Sequence, residues 1–136
     1  MNKIQILIAE DEPSMRLALK EVLSIFEEFE ILEAADGVQA LALIREHQPE
    51  LVLLDLLMPK LDGFDVLMAL QDSGESQTLK SKIVVLSALT EPHLVEELVR
   101  LGAHLALTKP LHVSELMDLA KEAAPPAAEG LVTVKV

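Results

Sequence analysis

An aspartate inside an apolar run is the first candidate for chemistry in this chain. Asp55 lies between the aliphatic residues 51–54 and the apolar segment 56–59, which ends in a proline. Burying an ionised carboxylate without a partner is costly, so folded chains use or pair such a charge. Residues 51–54 predict a strand buried on both faces, with Asp55 at its carboxyl end, where ligand crevices open in parallel sheets. Taken alone, Asp55 could equally be a capping residue at a turn.

Strand-like and helix-like segments alternate along the chain. Short aliphatic segments predict strands over residues 4–9, 30–34, 51–54, 83–86 and 104–107. Segments with helical spacing predict helices over about residues 13–28, 37–48, 63–71, 91–101 and 113–123, with a polar loop over 72–77. This βα rhythm predicts an α/β fold: a doubly wound, five-stranded parallel sheet with five helices on its two faces. The flavodoxin-like strand order 2-1-3-4-5 suits such a sheet.

Polar side chains follow four of the predicted strands. Glu10 and Asp11 come after the first strand, Asp55 after the third, Ser87 after the fourth and Lys109 after the fifth. In the order 2-1-3-4-5 the first and third strands are neighbours, so their acids should meet in one crevice. Carboxylates that share a site repel one another unless a cation neutralises them, and a small set of oxygen ligands suits Mg²⁺.

With that metal, Lys109 and Ser87 would complete a site for a phosphoryl group on Asp55. Positive charges neutralise the phosphoryl oxygens and a hydroxyl donates to one of them, which makes Asp55 the best candidate nucleophile. Ordinary interpretations also exist: acids before Pro13 suit a helix amino terminus, the serine suits a turn, and the lysine could be solvated before Pro110. All of these would have to coincide at one sheet edge, which favours the functional interpretation.

The composition excludes several classes of protein. The 136 residues predict one domain with its own core, and the formal net charge of −12 speaks against direct nucleic-acid binding. The absence of cysteine excludes disulfides, zinc–thiolate sites and thiol catalysis. No apolar segment reaches transmembrane length, and the first one is too short for a signal peptide, so we expect a soluble cytoplasmic protein without membrane contact.

The ordered set of motifs resembles the receiver domain of two-component response regulators. The resemblance covers residues 4 to about 122 and rests on Glu10-Asp11, Asp55 with Met58-Pro59 and Asp62-Gly63, Ser87-Ala88 and Lys109-Pro110. It implies that Asp55 accepts a phosphoryl group from the phosphohistidine of a sensor histidine kinase or phosphotransfer protein. It also implies that Ser87 and Lys109 contact the phosphoryl oxygens.

The same resemblance implies a metal and a set of partners. Mg²⁺ would be bound by Asp11, Asp55 and the backbone carbonyl of Leu57, with Glu10 acting through water. Phosphorylation would shift the face formed by the fourth helix, fifth strand and fifth helix, which would then bind a downstream effector protein or a second copy of the chain. The chain would be a phosphoacceptor that assists its own phosphotransfer and slow dephosphorylation, and we do not expect an enzyme in the usual sense.

Two features depart from the family pattern or refine it. Ala106 lies three residues before Lys109, where the family usually has tyrosine or phenylalanine, so an aromatic rotation cannot transmit the switch here. In the family, the positions two residues beyond the phosphorylated aspartate and two beyond the serine line the approach to the phosphoryl group. Here they are Leu57 and Leu89, which cannot orient an attacking water, so we expect slow autodephosphorylation.

Two other functional classes do not fit the sequence. A phosphatase of the haloacid dehalogenase type needs a second acid where Leu57 stands, and a nucleotide site needs a glycine-rich loop after the first strand. The remaining alternative is a receiver-like interaction module that works without phosphorylation.

We predict a stand-alone receiver over residues 1–123 and a flexible tail or linker over 124–136. The alternating residues 131–136 could instead add to a sheet edge or begin an output domain.

Overall fold

Five parallel strands form one sheet in the computed structural model, which describes residues 3–88 and 91–123. The strands are β1 (Ile4–Ala9), β2 (Phe29–Ala34), β3 (Leu51–Asp55), β4 (Lys82–Ser87) and β5 (Leu105–Thr108). Their spatial order is β2-β1-β3-β4-β5, and each neighbouring pair is parallel. The predicted fold class and strand order are therefore confirmed.

Five α-helices cover the two faces of this sheet. They are α1 (Pro13–Leu23), α2 (Gly37–His47), α3 (Gly63–Asp72), α4 (Pro92–Arg100) and α5 (Val113–Ala123). Buried side chains of α2, α3 and α4 form one core cluster with the sheet, and those of α1 and α5 form the other. Leu51 and Leu53 of β3 belong to the α1/α5 cluster, whereas Val52 and Leu54 belong to the opposite one. Because both faces of β3 are covered, each of these alternating positions is apolar.

The first helix ends earlier than the sequence pattern predicts. The predicted helix over residues 13–28 is wrong beyond Leu23, where Ser24 caps α1 through a hydrogen bond from its N–H to the carbonyl of Lys20 at 2.8 Å. Phe26 keeps the helical apolar spacing, but its ring packs on Phe29 with a centroid distance of 5.3 Å. The apolar pattern therefore continues through a chain reversal into β2 instead of through another helical turn.

A smaller difference concerns the polar loop over residues 72–77. This segment includes a short 3₁₀ helix, Glu75–Gln77, which follows Gly74 at φ +83°. No helix within the described ranges is long and apolar enough to cross a membrane. Leu89 and the predicted tail over 124–136 lie outside the described residues, so the expectations for them and the domain boundary stay predictions.

Candidate functional site

The strand register brings the acids after β1 and β3 together. Ala9 of β1 pairs with Leu54 of β3, and the residues that follow them are Glu10 and Asp55. Glu10 and Asp55 are almost completely buried, with 2% and 5% of their surface exposed. Because these two strands are neighbours in the sheet, the carboxylates meet at one edge, as the strand order predicts.

The other two predicted residues reach the same edge through β4 and β5. Asp55 pairs with Leu86 of β4, so Ser87 is the next residue along that edge, and Ser87 is buried. Ser87 pairs in turn with Thr108 of β5, and the N–H of Lys109 donates to the carbonyl of Ser87 at 2.8 Å. The structure therefore gathers Glu10, Asp55, Ser87 and Lys109 at the carboxyl edge of a single sheet.

Three carboxylates at this edge could hold a metal ion. Glu10, Asp11 and Asp55 each offer an oxygen, and these atoms all lie within 4.8 Å of one another. Asp11 is exposed, which leaves room for water molecules in the coordination shell of an ion. A small number of carboxylate oxygens with access for water fits Mg²⁺, which retains several of its waters when it binds protein.

Lys109 contributes a positive charge that touches two of these acids. Its Nζ lies 3.0 Å from Glu10 Oε1 and 3.0 Å from Asp55 Oδ1. Burial alone would lower the pKa of Lys109, but hydrogen bonds to Asp55 and Glu10 outweigh it and the pKa is raised. The ammonium group therefore stays charged between the acids. The Lys109–Pro110 peptide bond that follows is cis.

The surroundings of Glu10 disfavour its charged form. Burial raises its pKa above the ordinary value, and the negative charge of Asp55 adds to this effect. Hydrogen bonds from Lys109 and from the backbone N–H of Glu12 act in the opposite direction without cancelling it. A neighbouring positive charge therefore favours the ionised form of Glu10, against the effect of burial.

The acid run 10–12 divides into two roles. Glu12 is the N-cap of α1, where its carboxylate accepts a hydrogen bond from the N–H of Met15 at 2.9 Å. The helix-terminus interpretation is therefore correct for Glu12. Glu10 lies in the carboxylate cluster, and so does Asp11.

The loop between β3 and α3 carries Leu57, two residues beyond Asp55. This residue is 66% exposed. The predicted role of its backbone carbonyl as a metal ligand stays a prediction. Gly63 lets α3 begin close against this loop: its N–H donates to the carbonyl of Leu56 at 2.7 Å, and a Cβ there would lie 2.9 Å from the carbonyl oxygen of Asp55. The matching glycine on α2 is Gly37, where a Cβ would lie 2.0 Å from the carbonyl oxygen of Leu61.

Arg16 also reaches this site, although no sequence motif pointed to it. Its Nη1 donates to the backbone carbonyl of Glu10 at 2.7 Å. A cation in the first turns of a helix lies against the helix dipole, and this unfavourable placement is the signal that could have indicated a local partner.

Comparison with known proteins places this site in a family. The family model described as the response regulator receiver domain matches residues 6–121. Sporulation initiation phosphotransferase F of Bacillus subtilis is 31% identical over 121 residues, which cover 89% of this chain and 94% of that protein. The transcriptional regulatory protein PdtaR of Mycobacterium tuberculosis is 40% identical, but this chain spans only 53% of its length.

A solved structure agrees with this assignment. The signal receiver domain of the response regulator NarL from Mycobacterium tuberculosis has a TM-score of 0.78 and 30% identity, covering 90% of this chain and 96% of that one. A match over most of the chain to the family model, with a relative of similar length, establishes membership. The chain therefore belongs to the response regulator receiver domain family.

Proposed function

We propose that this chain is a phosphorylation-activated signalling switch in which Asp55 accepts a phosphoryl group from a phosphohistidine. The observation that carries the proposal is the position of the Asp55 carboxylate, 3.0 Å from the Lys109 ammonium and inside a cluster of three acids. The donor would be a sensor histidine kinase or a phosphotransfer protein. Membership in the receiver family supports this, as does a relative named as a phosphotransferase.

The transfer is a displacement at phosphorus. An Asp55 carboxylate oxygen attacks, the phosphorus–nitrogen bond of the donor breaks, and the imidazole leaves with its electron pair and takes up a proton. The product is an acyl phosphate on Asp55. Little covalent chemistry is asked of the protein, so its contribution is positioning and charge.

Residues around Asp55 supply that charge. Mg²⁺ held by Asp11, Asp55 and the backbone carbonyl of Leu57, with Glu10 acting through water, would neutralise phosphoryl oxygens. Lys109 already contacts Asp55, and its ammonium is in place to pair with a phosphoryl oxygen once the carboxylate is phosphorylated. We assign the hydroxyl of Ser87, at the neighbouring strand end, to a second phosphoryl oxygen.

The output of the switch would be a changed binding surface. The face formed by α4, β5 and α5 exposes apolar side chains, of which Val99, Leu105 and Val113 are 50%, 42% and 59% exposed. We propose that this face binds a downstream effector protein or a second copy of the chain. The net charge of −12 supports a partner other than nucleic acid.

Ala106 keeps a second function open. This residue of β5 is half-buried beside Val85, at the position where the family usually has an aromatic ring. A receiver-like module that binds partners without phosphorylation would retain the fold and lose the aromatic readout. The intact set of acids, serine and lysine at the sheet edge favours the phosphorylated switch.

Mass spectrometry of the intact chain tests the proposal. Acetyl phosphate with Mg²⁺ should add one phosphoryl group to the wild type and to Asp72→Ala, which removes an exposed aspartate from the end of α3. Asp55→Ala should remain unmodified, and EDTA should suppress the reaction. An adduct that persists in Asp55→Ala, or that forms undiminished in EDTA, contradicts the proposal.

A further inference from the structure

Arg16 links helix α1 to the main chain of the acidic loop, residues 10–12. Its Nη1 donates to the carbonyl oxygen of Glu10 at 2.7 Å, while Nε of the same guanidinium lies 3.3 Å from Glu33 Oε1 at β2. The Arg16 side chain is only 20% exposed. A guanidinium presents several donors in a rigid plane, so one side chain can hold a carbonyl and a carboxylate in fixed relative positions.

The backbone of Glu10 is consequently held on both sides. Its N–H donates to the carbonyl of Ala34 in β2 at 3.0 Å, and its carbonyl accepts from Arg16. That carbonyl is part of the peptide bond between Glu10 and Asp11. Because the Asp11 side chain is exposed, its position relative to Asp55 depends on the main chain that carries it.

We propose that Arg16 is a positioning residue for the metal ion of the carboxylate cluster. By holding the Glu10 carbonyl it fixes the peptide plane before Asp11, and so keeps the Asp11 carboxylate within reach of Asp55. This inference rests on the proposed function, since it requires Mg²⁺ at these acids. Groups that orient metal ligands without touching the metal commonly contribute about tenfold or more to metal affinity.

Charge alone predicts the opposite effect. A cation near three carboxylates repels an incoming Mg²⁺, so removing Arg16 should tighten binding if electrostatics were its only influence. Loss of positioning should weaken binding. The direction of the change in affinity therefore separates the two explanations.

Lys20 provides a matched control. It lies one helical turn after Arg16 on α1, and its Nζ is 2.9 Å from Glu33 Oε2. Lys20→Met removes one positive charge and one ion pair with Glu33, as Arg16→Met does, but it leaves the contact between Arg16 and the Glu10 carbonyl in place.

The test is calorimetric titration of the full chain with MgCl₂ at one pH and ionic strength. Arg16→Met should weaken Mg²⁺ binding about tenfold, whereas Lys20→Met should bind as tightly as the wild type or slightly more tightly. Thermal unfolding without Mg²⁺, measured for each protein, separates a loss of metal affinity from a loss of fold. Mg²⁺ binding by Arg16→Met at wild-type strength or above overturns the inference.

One further outcome is also decisive. If the wild type does not bind Mg²⁺, the proposed metal site is wrong and this inference fails with it. If the wild type binds Mg²⁺ and the Arg16 variant binds it equally well, only the role of Arg16 is wrong. If Arg16→Met does not fold, Arg16→Gln takes its place. It removes the same charge and the fork of donors, and the same loss of affinity is expected.

Discussion

Lys109 Nζ lies 3.0 Å from Glu10 Oε1, so one ion pair joins the ends of β5 and β1, which occupy non-adjacent places in the sheet. The ends of β3 and β4 lie between them, and the lysine also touches Asp55 on β3. A single ammonium group thus compensates two buried carboxylates whose strands would otherwise end in like charges.

Replacement of this lysine should destabilise the protein when metal is absent. Lys109→Met leaves Glu10 and Asp55 buried without their cation, and we expect the free energy of unfolding at pH 7 to fall by about 1–3 kcal/mol. Excess Mg²⁺ should restore part of the loss, because a divalent ion supplies the missing charge. Urea denaturation with EDTA and with MgCl₂ measures both effects.

The ion pair of Lys82 with Glu122 serves as the control for that experiment. These side chains are 42% and 60% exposed, and an exposed pair contributes only about 0–1 kcal/mol. Lys82→Met should therefore change the stability little and should not respond to Mg²⁺. Equal losses of stability in Lys109→Met and Lys82→Met would show that the buried ion pairs of Lys109 contribute no more than an exposed pair.

The stability of the metal-free chain should depend on the ionisation of Glu10. Burial raises the pKa of Glu10 above the ordinary value of 4.5, so its proton is held more tightly in the folded than in the unfolded state. This contribution to stability is complete below pH 4.5 and is lost as the pH rises through the raised pKa.

Glu10→Gln tests this dependence, because the amide is uncharged at every pH and can still accept a hydrogen bond from Lys109. The variant should be more stable than the wild type at pH 7, and the difference should vanish below pH 4.5. Thermal unfolding in EDTA across this range measures it. A stability difference independent of pH would disprove the assignment.

Gly37 should be essential for the position of the β3–α3 loop. A Cβ there would lie 2.0 Å from the carbonyl oxygen of Leu61, so the backbone of one element must move. We expect Gly37→Ala to lose about 3 kcal/mol of stability and to weaken Mg²⁺ binding, since the shifted loop carries the Leu57 carbonyl. Chemical denaturation and Mg²⁺ titration measure the two effects.

Gly74 gives the contrasting case. It has φ +83°, and no atom lies within 4 Å of the place that a Cβ would occupy, so Gly74→Ala meets conformational strain without a clash. That strain costs about 1–2 kcal/mol far from the acids, and Mg²⁺ affinity should be unchanged. If Gly37→Ala binds Mg²⁺ as well as Gly74→Ala does, the loop is not positioned by this contact.

The lifetime of the phosphorylated form should depend on Leu57. This residue lies two positions beyond Asp55 and is 66% exposed. Its aliphatic side chain cannot hydrogen-bond an attacking water. We expect Leu57→Asn to accelerate loss of the phosphoryl group about tenfold, because an oriented water is worth roughly 1–3 kcal/mol. Leu89→Glu is the companion variant at a residue outside the described ranges.

Met68→Asn makes a comparable change at another exposed apolar residue, on α3, and should leave the decay rate unchanged. Decay of purified phosphoprotein, followed by intact mass, compares these variants. Identical decay in the wild type, Leu57→Asn and Leu89→Glu would show that the two leucines do not slow dephosphorylation.

Much of this fold could be predicted from the sequence because its signals are local. Short aliphatic runs and the βα rhythm predict the sheet, and the right-handed crossover rule restricts its strand order. Once the order is known, Glu10, Asp55, Ser87 and Lys109 must lie along one edge of the sheet, because each follows or ends a strand and parallel strands end at the same edge. The apolar pattern does not indicate the end of α1, because Phe26 keeps the helical spacing while its ring packs on Phe29.

The tertiary structure alone decided which of these groups touch. No spacing indicates that Lys109 reaches both Glu10 and Asp55, that Arg16 holds a carbonyl of the acidic loop, or that Gly37 admits the backbone of Leu61. These contacts depend on the distances between helices, loops and strand ends in the folded chain. Those distances are set by packing between residues remote in sequence, where a shift of about one ångström makes or breaks a hydrogen bond.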